Sequence, residues 1–444
     1  MRTSSQSGKR VSVLTFAGFR NLWLGQVISQ FGDVLYGLVF LWLVLEVTGD
    51  ARAVGIVGAC QIIPYVLLSW YAGAIADRHD RRLVLIASDV ASALLVFGFM
   101  GLILVNPEPS LTLICAFAVA LGTANVFAAP AKSASVPRLV PPDRLVEANA
   151  LNSGTQSAMP LAGHTLSAAV LGVVFRLSAS FAYAITFAFN GVTFLVSAFF
   201  MYRLPKIVPE GKTGKRNALI ESFEGLKFVL GRRVLLVTVG LSVAMNFFIA
   251  PFMPAYVVVA AQRFHGKPDL LALLETGFFL GMVIGSVIVY RLRVRRPGIA
   301  FSVAIFLASL PIIPLGFVHS IPLFWTLNLV CGLMIPLGSV PLNTLIQLET
   351  PDAFRGRVNA VLGTLAPIVM PAGYVLSGFL IRSVGLEGTF IFIGGGIGLS
   401  ALFGLLAASF RGSTLPDGGE MPAQDEAEGP PSDAEGDTSV PQTP

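Results

Sequence analysis

Charged residues are scarce in this chain of 444 residues. Asp, Glu, Lys and Arg make up 12% of the sequence, whereas about 25% is usual for soluble globular domains. Hydrophobic residues make up 54%, and the mean hydropathy is +0.76. This small number of charges cannot cover the surface of a soluble fold of this length. The composition therefore excludes an ordinary soluble enzyme or binding domain and predicts an integral membrane protein.

Cysteine is also rare, and the motifs of common enzyme classes are missing. Cys60, Cys115 and Cys331 lie in separate apolar stretches, so their spacing fits neither a metal site nor a redox pair. We interpret them as small packing residues. The chain carries no phosphate-binding loop and no nucleophile paired with a base, which argues against ATP-driven transport by this chain alone and against an enzyme. We expect no cofactor.

Twelve long apolar stretches predict twelve membrane-spanning helices, each of which needs about 20 apolar residues. We therefore predict an all-α integral membrane protein with two pseudo-symmetric six-helix bundles, at residues 21–202 and 234–410, joined by a cytoplasmic linker at 203–233. The first stretch is too long for a signal peptide, so we interpret it as the first span. The predicted spans lie near residues 21–46, 53–76, 83–105, 110–130, 148–174, 178–202, 234–260, 270–290, 299–318, 322–346, 357–382 and 387–410.

The basic residues predict the orientation of these spans. Of the 30 Lys and Arg residues, only five fall on the side predicted to be external. Under the positive-inside rule the N-terminal segment, residues 1–20, and the C terminus are therefore cytoplasmic. The net charge of +5 reflects this topology, and we expect no nucleic-acid partner. The five external residues are Arg52, Arg176, Arg263, Lys267 and Arg382.

Two segments outside the spans have distinct compositions. Within the linker, apolar residues recur at helical spacing between Leu219 and Leu230 among basic residues, which predicts an amphipathic helix held on the inner membrane surface by anionic lipid. From residue 412 to 444 the chain has eight acidic residues, six prolines and no Lys or Arg. This composition predicts a disordered acidic cytoplasmic tail over residues 411–444.

Ionisable residues inside predicted spans are functional hypotheses, because each costs at least about 2.5–3.5 kcal/mol at the bilayer centre. Asp33 lies deepest, and it shares one helical stripe with Gln26, Gln30 and Gly37. A carboxylate at this depth can bind a proton, a cation or a basic substrate. The alternative is a hydrogen-bonded residue that only joins helices within the bundle.

Three further polar residues lie inside predicted spans. Glu275 in span eight is a candidate second proton site, a vestibule residue or an acid at a wet helix end. His164 in span five is a candidate proton relay or a satisfied polar residue. Asn246 in span seven either lines a cavity or holds helices together. We group Asp33, Gln30, Glu275, His164 and Asn246 as the candidate proton-coupling and substrate cavity.

A burst of charge at residues 73–82 (GAIADRHDRR) separates spans two and three. A generic positive loop would need neither Gly73 nor Asp77. Asp77 also suits the positive N-terminal end of another helix. We predict a cytoplasmic gate motif that comprises Gly73, Asp77, Arg78, Arg81, Arg82 and, one to two turns into span three, Asp89.

The order of this loop resembles the signature loop of the major facilitator superfamily, a family of twelve-helix secondary transporters. Over residues 15–410 the chain also resembles the drug-exporter branch that includes macrolide efflux proteins and the enterobactin exporter. The matching segments are 19–26 (FRNLWLGQ), 29–33 (SQFGD), 129–131 (APA), 137–141 (PRLVP), 148–151 (ANAL) and 355–360 (RGRVNA).

This resemblance implies a plasma-membrane monomer that uses the proton gradient to export amphipathic small molecules by alternating access. A siderophore or other metabolite exporter and a lysophospholipid flippase are the alternatives. The resemblance also implies that Asp77 meets the start of span eleven, near residues 354–358, and closes the cytoplasmic side. Two features depart from the pattern: span four has no arginine near Gly122 to Asn125, and Met159 stands where a glycine is expected.

Overall fold

The computed structural model describes residues 12–208, 218–292 and 294–414, and the regular elements in these ranges are all helical. The predicted acidic tail lies outside the described residues from position 415 onward. The helices of the N-terminal bundle and the linker are α1 (Ala17–Thr48), α2 (Ala51–Ala76), α3 (Arg81–Val105), α4 (Leu111–Val126), α5 (Ala128–Leu139), α6 (Leu145–Leu177), α7 (Ala179–Tyr202) and α8 (Ala218–Gly231).

The second bundle repeats this arrangement with more interruptions. A π-helical turn, Val259–Arg263, follows α10, and a short 3-10 turn, Ala366–Val369, follows α15. The helices of the second bundle are α9 (Arg233–Ile249), α10 (Phe252–Val258), α11 (Pro268–Arg291), α12 (Pro297–Ser309), α13 (Ile312–Leu315), α14 (Ile321–Glu349), α15 (Asp352–Leu365), α16 (Met370–Leu406) and α17 (Ala408–Arg411).

The prediction of twelve crossings is confirmed once the last segment is divided. In the described part of the chain, 11 helical segments are long and apolar enough to cross a membrane. The last of them, Phe354–Leu406, has 53 residues, more than twice the length that a hydrocarbon core of about 30 Å needs at 1.5 Å per residue. Its helix breaks at Gly385, whose φ of 72° and ψ of −177° are not helical. The segment therefore forms spans eleven and twelve.

Residues with short polar side chains cap the N termini of several helices, where the sequence changes from loop to span. Asp50 caps α2 by accepting a hydrogen bond from the Arg52 amide at 2.9 Å, and Asp80 caps α3 through the Arg82 amide at 3.0 Å. Hydrogen bonds to the Asp50 carboxylate lower its pKa. The largest effect comes from the Arg52 side chain and the next from the Arg52 backbone N–H. Gly49 ends α1 in the left-handed region, where glycine is favoured.

Span four is longer than predicted. The apolar run ended at residue 130, but helix continues as α5 to Leu139. Pro130 lies in the first turn of α5, where a missing N–H costs nothing. This extension places Lys132 on a helix rather than in a loop.

Close helix packing in the second bundle follows the small-residue pattern of α11. A Cβ atom added at Gly281 would lie 2.1 Å from the Leu329 carbonyl oxygen, and one at Gly285 would lie 2.2 Å from that of Leu333. Both oxygens belong to α14. Two glycines four residues apart therefore let the backbones of α11 and α14 approach closely.

The predicted linker helix is present as α8, and it packs on protein. Phe228 stacks on Phe354 of α15 with ring centroids 4.6 Å apart, and Arg357 pairs with Glu224 at 2.8 Å. One side of α8 therefore rests on the start of span eleven. Contact of its other side with lipid stays a prediction, and residues 209–217 are not described.

The whole molecule has two opposite faces. We call the face where α1 begins and α8 lies the linker face, and the face where α1 ends the far face. The two bundles meet toward the far face, where α2 packs on α16 and α6 packs on α11. Gly55 and Gly58 lie against Tyr374, and Gly378 lies against Arg52.

The burial of α1 shows how far this contact extends. Between Leu35 and Leu45 almost every residue is buried, whereas only one side of the preceding part is buried, at Phe19, Leu22, Gly25, Ser29 and Gly32. The structure is therefore closed at the far face and open at the linker face.

Candidate transport site

The main cavity lies in the N-terminal bundle and has a volume of about 500 Å³. It reaches from Asn149, near the start of α6 at the linker face, to Asp33 in the middle of α1. Asn149, Ser153 and Gln156 are exposed, so the cavity is accessible from the linker face. Its lining residues are Gln26, Ser29, Gln30, Asp33, Asp89, Asn125, Ala128, Ala129, Lys132, Ser133, Val136, Asn149, Asn152, Ser153, Gln156 and Phe194.

The polar stripe predicted on α1 forms one wall of this cavity. Gln26, Gln30 and Asp33 all line it, because residues spaced by three or four positions share a helix face. Gly32, on the opposite side, allows α7 to approach closely: an added Cβ would lie 2.2 Å from Thr193 Oγ1. The apolar side of α1 is therefore fixed against α7 while its polar side faces the cavity.

Asp89 belongs to this cavity rather than to the predicted gate motif. It is 3% exposed, and its Oδ2 accepts a hydrogen bond of 2.6 Å from Ser197 Oγ on α7. Asp89 lies eight residues beyond Arg81, so it stands about 12 Å along α3 from that arginine at 1.5 Å per residue. The grouping of Asp89 with the loop arginines is thus replaced by a grouping with Asp33.

Lys132 is a cavity residue that sequence reasoning missed. The predicted span ended two residues before it, and we counted it as a loop cation. Because α5 is helical, Lys132 lines the same cavity as Asp33 and Asp89, and it interacts electrostatically with both. The sequence did contain a signal for this position, because Lys132 is the one charged residue within the short run of small, mostly apolar residues at 128–136.

His164 and Glu275, two separate predictions, meet in a different place. His164 Nδ1 on α6 lies 2.9 Å from Glu275 Oε2 on α11, and the two side chains are 9% and 12% exposed. The His164 ring also stacks on Phe279, with centroids 4.8 Å apart. Glu275 interacts electrostatically with Tyr256 and Tyr374. This pair joins the two bundles and is not part of the Asp33 cavity.

Asn246 lies apart from both groups. Its Nδ2 donates to the Ser242 carbonyl oxygen of its own helix, α9, at 2.8 Å, and it does not line the main cavity. The structure therefore divides the predicted site into an Asp33 group, a His164–Glu275 pair and this separate amide.

A second cavity, of about 410 Å³, lies at the far face between the bundles. Trp42 and Glu46 at the end of α1 form one side, and Gln262 and Lys267 form the other. Tyr183 donates a hydrogen bond to Glu46. This cavity is separated from Asp33 by the buried outer part of α1.

The charged loop fixes neighbouring segments at the linker face. Arg81 donates to the carbonyl oxygens of Ala76 at 3.2 Å and Ala134 at 2.7 Å, and it lies 3.9 Å from Asp77. The Asp80 carboxylate accepts a 3.0 Å hydrogen bond from the Ile207 amide after α7.

The other members of the loop are more open. The Asp77 side chain is 68% exposed, and Arg78 is exposed beside it. Gly73 has open space where a Cβ would stand. The Arg82 guanidinium lies over the Tyr202 ring, 4.9 Å from its centroid. The exposure of Asp77 fits a structure whose linker face is open; its contact with span eleven stays a prediction.

Comparison with known proteins gives a consistent assignment. A family model described as "Transmembrane secretion effector" matches residues 10–430. Macrolide efflux protein A of Streptococcus pyogenes is 24% identical over 387 residues, which cover 85% of this chain and 92% of that protein. Multidrug efflux pump Tap of Mycobacterium tuberculosis is 24% identical over 376 residues, covering 82% and 87%.

The solved structures show the same fold. The nucleoside transporter NupG superposes with a TM-score of 0.70 at 10% identity, and the match covers 87% of this chain and 99% of that one. At this identity the likeness concerns the fold alone. It agrees with the twelve helices in two bundles described above.

Proposed function

Because the chain belongs to the transmembrane secretion effector family of the major facilitator superfamily, we propose that it exports amphipathic small molecules in exchange for protons. Its many apolar helices and its relatives make it a multi-pass membrane transporter with an efflux role. Proton coupling, the amphipathic cargo and the plasma membrane as its location are our proposals. The transporter acts as a monomer in this proposal, since each chain carries both bundles.

The observation that carries the proposal is the position of Asp33. This carboxylate lies about 16 residues from the start of α1, or about 24 Å at 1.5 Å per residue, in a polar cavity accessible from the linker face. A charged group at such depth is costly unless it has a function or a partner. Asp33 can hold either a proton or the cationic group of a cargo. Competition between the proton and the cargo for this carboxylate exchanges one for the other.

The orientation follows from the basic residues. The linker face carries most of the Lys and Arg residues, so we place it in the cytoplasm. In the described state the cavity then receives cargo from the cytoplasm. Rocking of the bundles closes the linker face, opens the far face and exposes Asp33 to external protons. The proton gradient shifts this equilibrium because the two states bind protons from different sides.

The test is export of labelled amphipathic compounds from cells, with and without a proton uncoupler. The panel includes a macrolide, a siderophore and a lysophospholipid. We expect cells that carry the wild-type protein to accumulate less of the amphipathic drug than cells that lack the protein. The uncoupler should remove this difference. Asp33→Asn is expected to abolish uncoupler-sensitive export at an unchanged level of protein in the membrane.

A matched control is Asp143→Asn, which removes a carboxylate at the linker face whose side chain is 76% exposed. This variant should export normally. Unchanged, uncoupler-sensitive export by Asp33→Asn would remove Asp33 from the coupling mechanism. Export that resists the uncoupler in wild-type cells would contradict proton exchange.

A further inference from the structure

We infer that the far-face cavity is a second binding site, separate from the Asp33 cavity, and that it takes a small zwitterion with an apolar body. The ammonium group of this ligand meets Glu46, and its carboxylate meets Lys267. The bound ligand holds the far face closed and thereby slows export. The binding site stands on its own geometry, whereas the effect on export rests on the proposed function.

The position of this cavity sets it apart from the transport site. Its volume of about 410 Å³ lies within the range of small-molecule sites, about 300–1,000 Å³. The ends of α1 and α6 form its side on the first bundle, and the π-helical turn and the start of α11 form its side on the second. The buried stretch of α1 from Leu35 to Leu45 separates it from Asp33. A ligand bound here therefore leaves the Asp33 cavity unoccupied.

The base of the cavity is apolar and buried. Trp42 and Leu45 are each 7% exposed, and Phe175 is 6% exposed. On the second bundle Pro268 is buried at the first turn of α11. Aromatic and aliphatic walls of this kind favour a ligand with an apolar body, because binding removes the apolar surface of that body from water.

Two opposite charges stand at the rim, one on each bundle. Glu46, near the end of α1, and Lys267, just before α11, are exposed and are the two ionisable residues of the lining. Each is bonded to a different partner on the first bundle. Glu46 accepts a hydrogen bond from the Tyr183 hydroxyl, and Lys267 Nζ donates to the Phe175 carbonyl oxygen at 3.4 Å. A carboxylate accepts about four hydrogen bonds and an ammonium donates three, so one ligand can bond to both.

This arrangement selects the charge pattern of the ligand. A cation is attracted by Glu46 and repelled by Lys267, and an anion meets the reverse. A zwitterion that lies across the cavity places each of its charged groups beside an opposite charge, which offsets the cost of removing those groups from water. Gln262, on the same side of the cavity as Lys267, adds an amide donor for the ligand carboxylate.

The cavity exists only while the bundles are packed together at the far face, because its walls come from both bundles. A ligand that binds one of two states shifts the equilibrium toward that state. An occupant of this cavity therefore favours the structure that is open at the linker face and opposes the opening that releases cargo. Since the far face is external in the proposed orientation, the ligand acts from outside the cell.

The test uses three probes that share a naphthyl ring. Naphthylalanine is the zwitterion, naphthylethylamine lacks its carboxylate, and naphthylpropionic acid lacks its amine. Binding of each radiolabelled probe to the purified protein is measured at equilibrium and neutral pH. We expect naphthylalanine to bind about tenfold more tightly than either single-charge probe, because each of those lacks one charge-assisted hydrogen bond.

Reciprocal variants locate the two charges. Glu46→Gln should weaken naphthylalanine about tenfold and leave naphthylpropionic acid unchanged or tighter. Lys267→Gln should weaken naphthylalanine by a similar factor and leave naphthylethylamine unchanged or tighter. The probe that each variant still binds shows that the variant is folded. Glu108→Gln, an exposed acid in the α3–α4 connection, is the matched control and should bind all three probes as the wild type does.

The effect on the conformational equilibrium is measured as export from intact cells. Naphthylalanine added outside should slow export of a labelled amphipathic drug severalfold. Cells that carry Glu46→Gln should need about tenfold more naphthylalanine for the same inhibition, because the variant binds the probe more weakly.

Equal binding of the three probes by wild-type protein would overturn the inference, and so would a preference for the zwitterion that survives both Glu46→Gln and Lys267→Gln. Export at an unchanged rate under saturating naphthylalanine would show that the occupant does not hold the far face closed. Failure of the proposed function is a different outcome, in which cells with the protein export no compound of the panel. Probe binding to the purified protein distinguishes the two, since it is measured without transport.

Discussion

His164 of the first bundle and Glu275 of the second lie 2.9 Å apart between Nδ1 and Oε2. This contact exists only while α6 and α11 are packed together toward the far face. Opening of the far face must separate the two side chains. The pair therefore stabilises the state that is open to the linker face, and its loss should shift the conformational equilibrium.

The first prediction concerns this pair. Glu275→Gln and His164→Gln should raise the population open at the far face, since each removes the contact between the imidazole and the carboxylate but retains a polar side chain. A change of about 1.4 kcal/mol shifts a two-state equilibrium tenfold. The readout is the labelling rate of Gln262→Cys, in the far-face cavity, by a membrane-impermeant thiol reagent, with the three native cysteines replaced.

Glu108→Gln provides the control for the first prediction, because Glu108 is an exposed acid in the α3–α4 connection. It should leave labelling at the wild-type rate. If either pair variant labels no faster than the control, the pair does not hold the far face closed.

The second prediction concerns Asp77. Its charge is expected to meet the N-terminal end of span eleven when the linker face closes, a contact worth about 0.3–1 kcal/mol when exposed and up to about 2 when partly buried. Asp77→Asn should therefore favour the linker-face-open state, slow turnover and leave cargo affinity unchanged. Ser153→Cys in the cavity wall should be labelled faster in this variant. Loss of transport at an unchanged labelling rate would show that Asp77 has another role.

The third prediction concerns Arg81. Its guanidinium joins the end of α2 to α5 through the carbonyl oxygens of Ala76 and Ala134, a fork that lysine cannot reproduce. Hydrogen bonds of charged groups contribute about 1.5–3 kcal/mol. Arg81→Lys should lower the thermal unfolding temperature in detergent by several degrees, while Arg78→Lys, at an exposed neighbour, should not. Equal unfolding temperatures for the two variants would contradict this role.

The fourth prediction concerns the acidic tail. Its composition offers no apolar face for packing, so truncation after Thr414 should leave export nearly intact. Transport rates are compared at equal amounts of protein in the membrane. A severalfold loss would mean that the tail engages the cytoplasmic surface.

Features that depend on one segment could be predicted from the sequence. The spans followed from the length of apolar runs, and the polar face of α1 followed from helical spacing of Gln26, Gln30 and Asp33. The charged loop was recognisable because ionised groups are excluded from hydrocarbon. In each case the physical cause acts within about 25 consecutive residues, so no partner segment has to be known.

The composition of the cavity depended on contacts between segments. Lys132 was missed because local hydropathy ended span four before the helix did. Asp89 was grouped with the nearest charges in sequence, whereas the rotation of α3 turns it toward Ser197 and the cavity. The sequence placed His164 and Glu275 in different bundles, but only packing of α6 on α11 brings them to 2.9 Å.

The amino-acid sequence by itself therefore determined that this is a twelve-span membrane protein with a deep carboxylate and a charged loop, because the cost of polar groups in lipid fixes these features locally. The tertiary structure decided which polar residues share a cavity and which face of the molecule is open. Those depend on helix rotation and on the packing of one bundle against the other, and both are set by side chains far apart in the chain.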